Sequence, residues 1–301
     1  MMFDSIDQWR RFSQVGGLLL IGGLTGTMVL RQLHAVDTYS AKASLSNQVD
    51  SRPTHSASAQ GTLNDQIVEL DRLYRTAPQL SVDALIKRKD STLKSDLGMT
   101  TALFQAPPQY RMGADRTNFG DRLSRNGQGE PIQNKLLIVL HETTASASGA
   151  VNTALTPHPR DEDQVSYHAI VSRDGTILYL VDPHKRAYGA GNSIFRSQEG
   201  AETVQTNRRL KSSVNNFAYH ISLETPAGGC NAKPKHTGYS SAQYFSLAWL
   251  IAHSGIENNR ITTHFAIDQS GERQDPRSLE MDLLRQSLVF QNIAFVLETI
   301  P

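Results

Sequence analysis

Two histidines and an aspartate occupy positions from which their side chains could bind a metal ion. Residues 136–144 read LLIVLHETT, and residues 261–276 read ITTHFAIDQSGERQDP. In each segment an apolar run predicts a strand, and His141 or His264 follows where that run meets polar residues. Asp275 comes eleven positions after His264. Two imidazoles and a carboxylate are the ligand set of an open zinc site, which keeps one position for water and can therefore support hydrolysis.

Each of these three residues also has an ordinary structural interpretation. His141 could end its strand by bonding to nearby backbone. Asp275, which precedes Pro276, could be the N-cap of a helix predicted over residues 278–289. Asp268 lies in the same loop and is a rival carboxylate ligand. If the three side chains do not converge, the pattern describes only an α/β domain.

Two further charged residues could take part in a hydrolytic reaction. Glu224 ends a predicted strand beside a Gly-rich loop, where its carboxylate could take a proton from a water molecule and pass it to a leaving amine. Arg273 precedes Asp275 by two residues and could stabilise an oxyanion. A solvated strand-end glutamate and a surface arginine are the alternative interpretations.

The composition restricts both the ligands and the partners. The chain has 301 residues and a formal net charge of +1, so no basic excess points to nucleic acid. Its one cysteine, Cys230, excludes an internal disulfide and a thiolate-rich zinc site. Any metal ion must therefore be held by histidines and carboxylates.

The N-terminal region contains an apolar segment that predicts a membrane or export signal. Arg10 and Arg11 precede residues 15–30, which read VGGLLLIGGLTGTMVL. This length falls between a membrane-spanning helix of ~20 residues and a signal-peptide core of ~7–15 residues. We predict an uncleaved signal-anchor, with a signal peptide cleaved near Ala35 as the alternative. Because the arginines mark the inner side, the rest of the chain is expected in the cell envelope, outside the cytoplasmic membrane, either membrane-anchored or secreted to the periplasm.

Changes in composition divide the chain into four predicted segments. Residues 1–36 form a cytoplasmic tip with the anchor or signal segment, and residues 37–62, rich in Ser, Ala, Thr and Gln, form a flexible linker. Residues 63–106 carry apolar residues at helical spacing, interrupted at Pro78, and predict a helical stalk that could pack on the main domain. Residues 107–301 form that main domain.

The main domain is predicted to be an α/β fold, with a mixed central β-sheet flanked by helices. A Gly-containing turn, Arg173-Asp174-Gly175, joins two of its strands into a hairpin. The predicted strands cover residues 136–140, 167–171, 176–181, 218–224 and 261–263, and the predicted helices cover residues 241–254 and 278–289.

Five passages, in this order, resemble the type 2 N-acetylmuramoyl-L-alanine amidases, zinc amidases that share a fold with peptidoglycan recognition proteins. They are IVLHETT, VSYHAIVSRDGTILYLVDPHKRAYGAGNS, HISLETP, YSSAQYFSLAWLIAH and ITTHFAIDQSGERQDP. The resemblance implies Zn2+ bound by His141, His264 and Asp275, with Glu224 as the catalytic acid/base. It also implies hydrolysis of the amide bond between N-acetylmuramic acid and L-alanine in peptidoglycan.

The chain departs from the family pattern at three places. Arg273 replaces a usual lysine, and arginine keeps the positive charge but cannot lend a proton. Tyr188 and Gly189 lie where the family often has an aromatic residue and a histidine. The loop from His264 to Asp275 is one residue longer than usual.

The resemblance also suggests substrate contacts and partners. Thr143, Tyr188 and His168 are the expected substrate-binding residues, and packing is the alternative role for His168. The expected partners are peptidoglycan or muropeptides and, through the N-terminal segment, a membrane, with the protein acting as a monomer. A peptidoglycan-binding module without catalysis and a zinc amidase for another peptide are the alternative functions. The sequence does not distinguish intact murein from soluble fragments, and it does not define stem-peptide specificity or the role of the stalk.

Overall fold

The computed structural model describes residues 63–92 and 105–299. These residues belong to one compact unit, Ala59–Pro301. The predicted anchor segment at residues 15–30 and the linker at residues 37–62 lie outside the described residues. Within the described part of the chain, no helix has both the length and the apolarity needed to cross a membrane.

A mixed six-stranded sheet forms the centre of this unit, in the order β1-β5-β4-β9-β3-β10. Strands β4, β9, β3 and β10 run parallel to one another, and β5 runs antiparallel to β4. The carboxyl ends of the parallel strands therefore share one edge, where ligand sites of α/β folds lie. The ten strands found among the described residues are β1 (Gln109–Arg111), β2 (Phe119–Asp121), β3 (Leu137–Glu142), β4 (Ala169–Val171), β5 (Ile177–Tyr179), β6 (Lys185–Ala187), β7 (Phe195–Ser197), β8 (Gly200–Glu202), β9 (Ala218–Leu223) and β10 (Ile261–Thr263).

Six α-helices accompany the sheet in the described residues. The helix over Ser241–Ser254 begins with a capping box, because the Ser240 hydroxyl accepts from the Gln243 amide while the Gln243 side chain accepts from the Ser240 amide. It ends at Gly255, whose φ of 65° is left-handed. The helices are α1 (Leu63–Thr76), α2 (Val82–Thr92), α3 (Ala147–Leu155), α4 (Ser241–Ser254), α5 (His264–Ile267) and α6 (Met281–Thr299).

Helices α1, α4 and α6 contribute to a core with one face of the sheet. Ile138 and Leu140 of β3 lie in this core, together with Leu247 of α4 and Leu284 of α6. Since side chains alternate along a strand, Leu137, Val139 and His141 point to the opposite face. That face is covered by two smaller clusters, one around α2 and α3 and one around β7 and α5. The predicted mixed α/β architecture is confirmed.

The helices predicted as a stalk form on both sides of Pro78, and they pack against the rest of the domain. Ile67, Leu70 and Leu73 of α1 are buried in the core shared with the sheet. The side-chain oxygen of Gln66 also accepts a hydrogen bond from the Leu136 amide at 3.2 Å. The boundary predicted at residue 107 therefore does not separate two structural units.

Candidate active site

The pairing of β3 with β10 brings the two candidate histidines side by side. Thr263, the last residue of β10, pairs with Leu140. The residue after each is a histidine, His264 at the first position of α5 and His141 near the end of β3. Their ring centroids are 4.7 Å apart. Both rings are largely buried at the carboxyl edge of the parallel strands.

Asp275 is brought to the same point by a loop that closes on itself. The amide of Phe265 donates to the carbonyl of Asp275 at 2.9 Å, which fixes the two ends of the loop next to each other. The Asp275 carboxylate lies 3.1 Å from His141 Nδ1 and 3.0 Å from His264 Nδ1. The two histidines and the aspartate therefore converge as the sequence predicts.

This donor set fits zinc. One ligand atom from each of His141, His264 and Asp275 can be chosen so that all lie within 4.8 Å of one another. Tetrahedral zinc with bonds of ~2.0–2.1 Å separates neighbouring ligand atoms by roughly 3.3 Å, close to the spacing between each Nδ1 and the carboxylate. Three ligands leave a fourth position available, the pattern of a catalytic rather than a structural site.

The protonation states also suit a metal. Burial lowers the pKa of His141 to about 4, although its hydrogen bond to Asp275 works in the opposite direction. The imidazole is therefore neutral at pH 7, the form that binds metals. Burial opposes ionisation of Asp275, but hydrogen bonds from His141 and His264 outweigh it and hold the pKa of Asp275 below its usual range. At neutral pH this side chain is a carboxylate.

Asp268, the rival ligand, has a different position. Its carboxylate turns into its own loop, and Ser270 Oγ donates to it at 2.8 Å. These bonds hold together the loop that is one residue longer than usual in the family. The hydrogen bond between Phe265 and Asp275 keeps Asp275 beside the two histidines. Four successive backbone amides also donate to the Asp268 carboxylate: those of Ser270, Gly271, Glu272 and Arg273.

The sheet register places Ser222, rather than Glu224, opposite His141. Glu224 follows two positions later and is fully buried. Its carboxylate accepts from the Arg173 amide at 2.9 Å, and its carbonyl accepts from Gln243 at 3.0 Å. These contacts join the end of β9 to the β4–β5 turn and to α4. The catalytic role of Glu224 stays a prediction.

Arg273 is exposed in the ligand loop. Burial has the largest effect on the pKa of His141, followed by the interactions with Asp275 and His264. The positive charge of Arg273 has a smaller effect and also lowers this pKa. The guanidinium is thus close enough to act electrostatically on the ligand set. It retains the positive charge that the resemblance places there.

Two of the predicted substrate contacts take part in local packing. The Thr143 hydroxyl accepts from the Thr225 amide at 3.1 Å and donates to the Ala145 carbonyl, which braces the loops after β3 and β9. Tyr188 is half-buried, with its ring 5.4 Å from the Arg186 guanidinium carbon. The role of both side chains in substrate binding stays a prediction.

His168, the third predicted contact, is fully buried. Its Nδ1 accepts from the His220 amide at 2.9 Å, so the ring proton lies on Nε2, which is 3.1 Å from the Lys185 carbonyl. The ring also stacks on Tyr219, with centroids 4.6 Å apart. This arrangement packs the ring and does not offer it to a substrate.

The sequence interpretation missed two residues beside His141. The half-buried Tyr167 has its ring centroid 5.0 Å from that of His141, and burial raises the pKa of its hydroxyl, which therefore stays protonated. His220 Nδ1 lies 2.9 Å from His141 Nε2. The motif VSYH includes Tyr167, whereas no local pattern in the sequence indicated His220.

An open set of two histidines and one carboxylate at this edge of a mixed sheet is the arrangement of metal-dependent hydrolases. Residues 130–278, just under half of the chain, match the family described as N-acetylmuramoyl-L-alanine amidase. The chain therefore carries a domain of the N-acetylmuramoyl-L-alanine amidase family, and the predicted enzyme class is confirmed.

Several solved amidase structures are similar at low identity. AmpD from Citrobacter freundii is 22% identical over 61% of this chain and 90% of its own, with a TM-score of 0.37. The endolysin LysCS from Clostridium intestinale is 16% identical over 62% and 97%, also with a TM-score of 0.37. AmpDh3 from Pseudomonas aeruginosa, solved with an anhydromuramic pentapeptide, is 18% identical over 57% and 62%, with a TM-score of 0.36. No curated protein matches the chain. The assignment rests on the family match.

Proposed function

We propose that this protein is a zinc amidase that hydrolyses the bond between N-acetylmuramic acid and L-alanine in peptidoglycan, during cell-wall remodelling or recycling. One observation carries the proposal. Within a domain of the amidase family, His141, His264 and Asp275 converge with ligand atoms within 4.8 Å. The neutral His141 imidazole and the ionised Asp275 are the forms that bind zinc.

The proposed zinc ligands are His141, His264 and Asp275. When bound, zinc would supply a water of lowered pKa and polarise the scissile carbonyl. The Asp275 carboxylate holds both imidazoles with their Nδ1 atoms directed towards it. The chain thus orients its ligands through contacts among the ligands themselves.

Two donors beside the ligands can stabilise the developing oxyanion. The exposed Arg273 guanidinium contributes a permanent positive charge, and this suits it to charge stabilisation rather than to proton transfer. The protonated Tyr167 hydroxyl contributes a second donor, carried on a ring whose centroid lies 5.0 Å from that of His141. The Tyr167 hydroxyl stays protonated at neutral pH, because burial raises its pKa.

A proton must also reach the leaving L-alanine amine. Glu224 is the carrier predicted from the sequence, but its carboxylate is fully buried against the Arg173 amide and would have to leave that contact. The Tyr167 ring already lies beside His141, with ring centroids 5.0 Å apart. We therefore propose that Tyr167 donates a hydrogen bond to the reacting amide and keeps its own proton. The proton that the amine gains then comes from the attacking water, which loses it as the new C–O bond forms and the C–N bond breaks.

We also propose that the domain acts outside the cytoplasmic membrane. The support is the apolar segment at residues 15–30, preceded by Arg10 and Arg11. Murein lies on that side of the membrane. Intact murein or its muropeptides would then be the substrate that the protein meets.

The metal ligands can be tested against a control from the same loop. We expect His141→Ala and Asp275→Asn to lose bound zinc and all release of free L-alanine amines from purified murein. Asp268→Asn should lower the melting temperature yet keep one zinc per chain, because the Asp268 carboxylate accepts hydrogen bonds from Ser270 and Gly271 of its own loop. Metal content is measured by atomic absorption, and new amines by dansylation.

Three outcomes would redirect the assignment. Full activity in zinc-depleted His141→Ala protein would contradict the proposal. Binding to murein without new amines would indicate a recognition module. Cleavage of unrelated peptides but not of muropeptides would indicate a zinc amidase with another substrate.

A further inference from the structure

A third buried histidine contacts the ligand His141 on the side away from Asp275. His220 lies on β9 opposite Val139, so its side chain shares the sheet face of His141. It is fully buried, and its Nδ1 lies 2.9 Å from His141 Nε2. The two ring nitrogens of His141 are therefore both occupied, one by Asp275 and one by His220.

The space for the His220 ring exists because residue 189 has no side chain. A Cβ atom at Gly189 would lie 2.6 Å from both Cγ and Nδ1 of His220, closer than real Cβ atoms approach other heavy atoms. Gly189 is also the position at which the resembled family often has a histidine. In this chain the imidazole comes from β9 instead and occupies the space that Gly189 leaves open.

The position of the ring proton on His141 decides which of the two histidines donates in the hydrogen bond between His141 and His220. If Nδ1 of His141 binds a metal, its ring proton must lie on Nε2, and a metal-bound histidine usually donates that proton to a fixed acceptor. His220 Nδ1 is in position to accept it. The proton of His220 then lies on its Nε2, which has no partner among the described residues.

That unpaired nitrogen argues against a packing role for His220. A buried donor without an acceptor is costly, and an apolar side chain would fill the space without that cost. The backbone of His220 is held separately, since its amide donates to His168 Nδ1 at 2.9 Å. The observed contact that requires an imidazole is the one to His141.

We propose that His220 is a positioning residue for the metal ligand His141. By accepting from Nε2–H, it holds the His141 ring in the tautomer and orientation that direct Nδ1 towards Asp275 and the metal. The inference rests on the proposed zinc site. His220 can reach His141 in this chain because residue 189 is a glycine rather than the histidine that the family often has there.

Two variants of similar shape separate the hydrogen bond from packing. Asn places an acceptor oxygen near the position of His Nδ1, and Leu has a similar shape without an acceptor. We expect His220→Leu to weaken zinc binding by roughly ten- to a hundredfold, while His220→Asn retains the affinity of the parent. The dissociation constant is measured on full-length apo-protein by competition with a chromophoric zinc chelator, and folding is checked by circular dichroism.

A double-mutant cycle provides a second test that does not depend on the stability of His220→Leu. Gly189→Ala should displace the ring and weaken zinc binding when His220 is present. The same change in a His220→Ala background should have no effect on zinc affinity, because the ring it would displace is gone. Equal losses in both backgrounds would show that Gly189→Ala acts without His220 and would overturn the inference.

The outcomes distinguish this inference from the proposed function. Folded His220→Leu protein with the zinc affinity of the parent overturns the positioning role, whatever the activity. A parent protein that binds zinc but releases no L-alanine amines contradicts the amidase proposal and leaves the role of His220 to be decided by the affinities. A parent that binds no zinc overturns the metal site itself.

Discussion

At the scale of single residues, Tyr167 and Glu224 are the two candidates for contact with the reacting amide. Tyr167 is half-buried with its ring 5.0 Å from that of His141. Glu224 is fully enclosed, and the bond from the Arg173 amide holds its carboxylate at the β4–β5 turn. A group that meets substrate must be reachable, so the two positions predict different effects of mutation.

Conservative variants at these two positions test that difference. We expect Tyr167→Phe to lower kcat by about a hundredfold, as the loss of one oxyanion donor does, with zinc content and melting temperature unchanged. Glu224→Gln should lose about 1 kcal/mol of stability and keep most of kcat. Steady-state kinetics on muropeptides and urea unfolding measure both. A large loss of kcat in Glu224→Gln at normal stability would restore the acid/base role predicted from the sequence.

The ligands could be predicted from sequence because each lies next to a recognisable local pattern. His141 and His264 follow apolar runs, and Asp275 belongs to the passage ITTHFAIDQSGERQDP. Ser222 could not be predicted as the neighbour of His141, because that depends on the register between β3 and β9. Local patterns also did not reveal the contact of His220 with Gly189, which joins residues 31 positions apart in the sequence.

At the scale of elements, one arginine joins three strands. Arg260 precedes β10 and donates to the carbonyls of Lys135 and Leu136, just before β3. It also forms a two-pronged ion pair with Glu202 at the end of β8. His141 lies near the carboxyl end of β3, and His264 directly follows β10. The Arg260–Glu202 ion pair therefore supports the alignment of β3 and β10 at their amino ends, away from the two histidines.

The ion pair should make stability depend on pH. Burial of Glu202 opposes its ionisation, but hydrogen bonds from Arg260 and Asn134 hold its pKa below the usual value. A lowered pKa in the folded state adds stability that is complete above the unfolded value of about 4.3. That stability is lost as the pH falls through the folded pKa.

We therefore expect Glu202→Gln to cost about 2 kcal/mol at pH 7, since it leaves a buried guanidinium without its counter-charge. The difference from the parent should shrink when urea unfolding is repeated near pH 3. Glu199→Gln, at an exposed neighbouring glutamate, is the matched control and should change little at either pH. A Glu202→Gln difference that is equal at both pH values would contradict this account.

Element boundaries were predictable where local signals agreed. The predicted α4 matches the observed Ser241–Ser254, because a Ser cap and an apolar run coincide. The predicted start of α6 was three residues early. Arg277 donates instead to Glu142 and to loop carbonyls, and Ser278 has a φ of 55°, so neither residue is available to open a helix. These long-range contacts have no local signature.

At the scale of the whole molecule, α1 belongs to the catalytic domain. Ile67, Leu70 and Leu73 are almost completely buried. Burial of each such side chain stabilises a fold by ~1.5–3 kcal/mol, so together they contribute an amount comparable to the ~5–15 kcal/mol net stability of a typical domain. The segment predicted as a stalk therefore contributes to the stability of the domain.

Two truncations test this conclusion and the predicted anchor. Removal of residues 1–58 should leave a folded, zinc-binding amidase that is released from carbonate-washed membranes, whereas the full chain stays with them. Removal of residues 1–92 should abolish cooperative thermal unfolding, because α1 is lost from the core. A cooperative transition in the shorter protein would show that α1 is dispensable, and full-length protein in the soluble fraction would contradict anchoring.

The position of α1 has a mechanical consequence. It packs on the sheet face of Leu140, whereas His141 and its partners occupy the opposite face. Tension applied through the chain that precedes Leu63 would therefore load α1 and the central core first. The closed loop that joins Phe265 to Asp275 is not part of that core. Force applied from the N-terminal side would therefore reach β3, the strand that carries His141, before it reached the loop that carries Asp275.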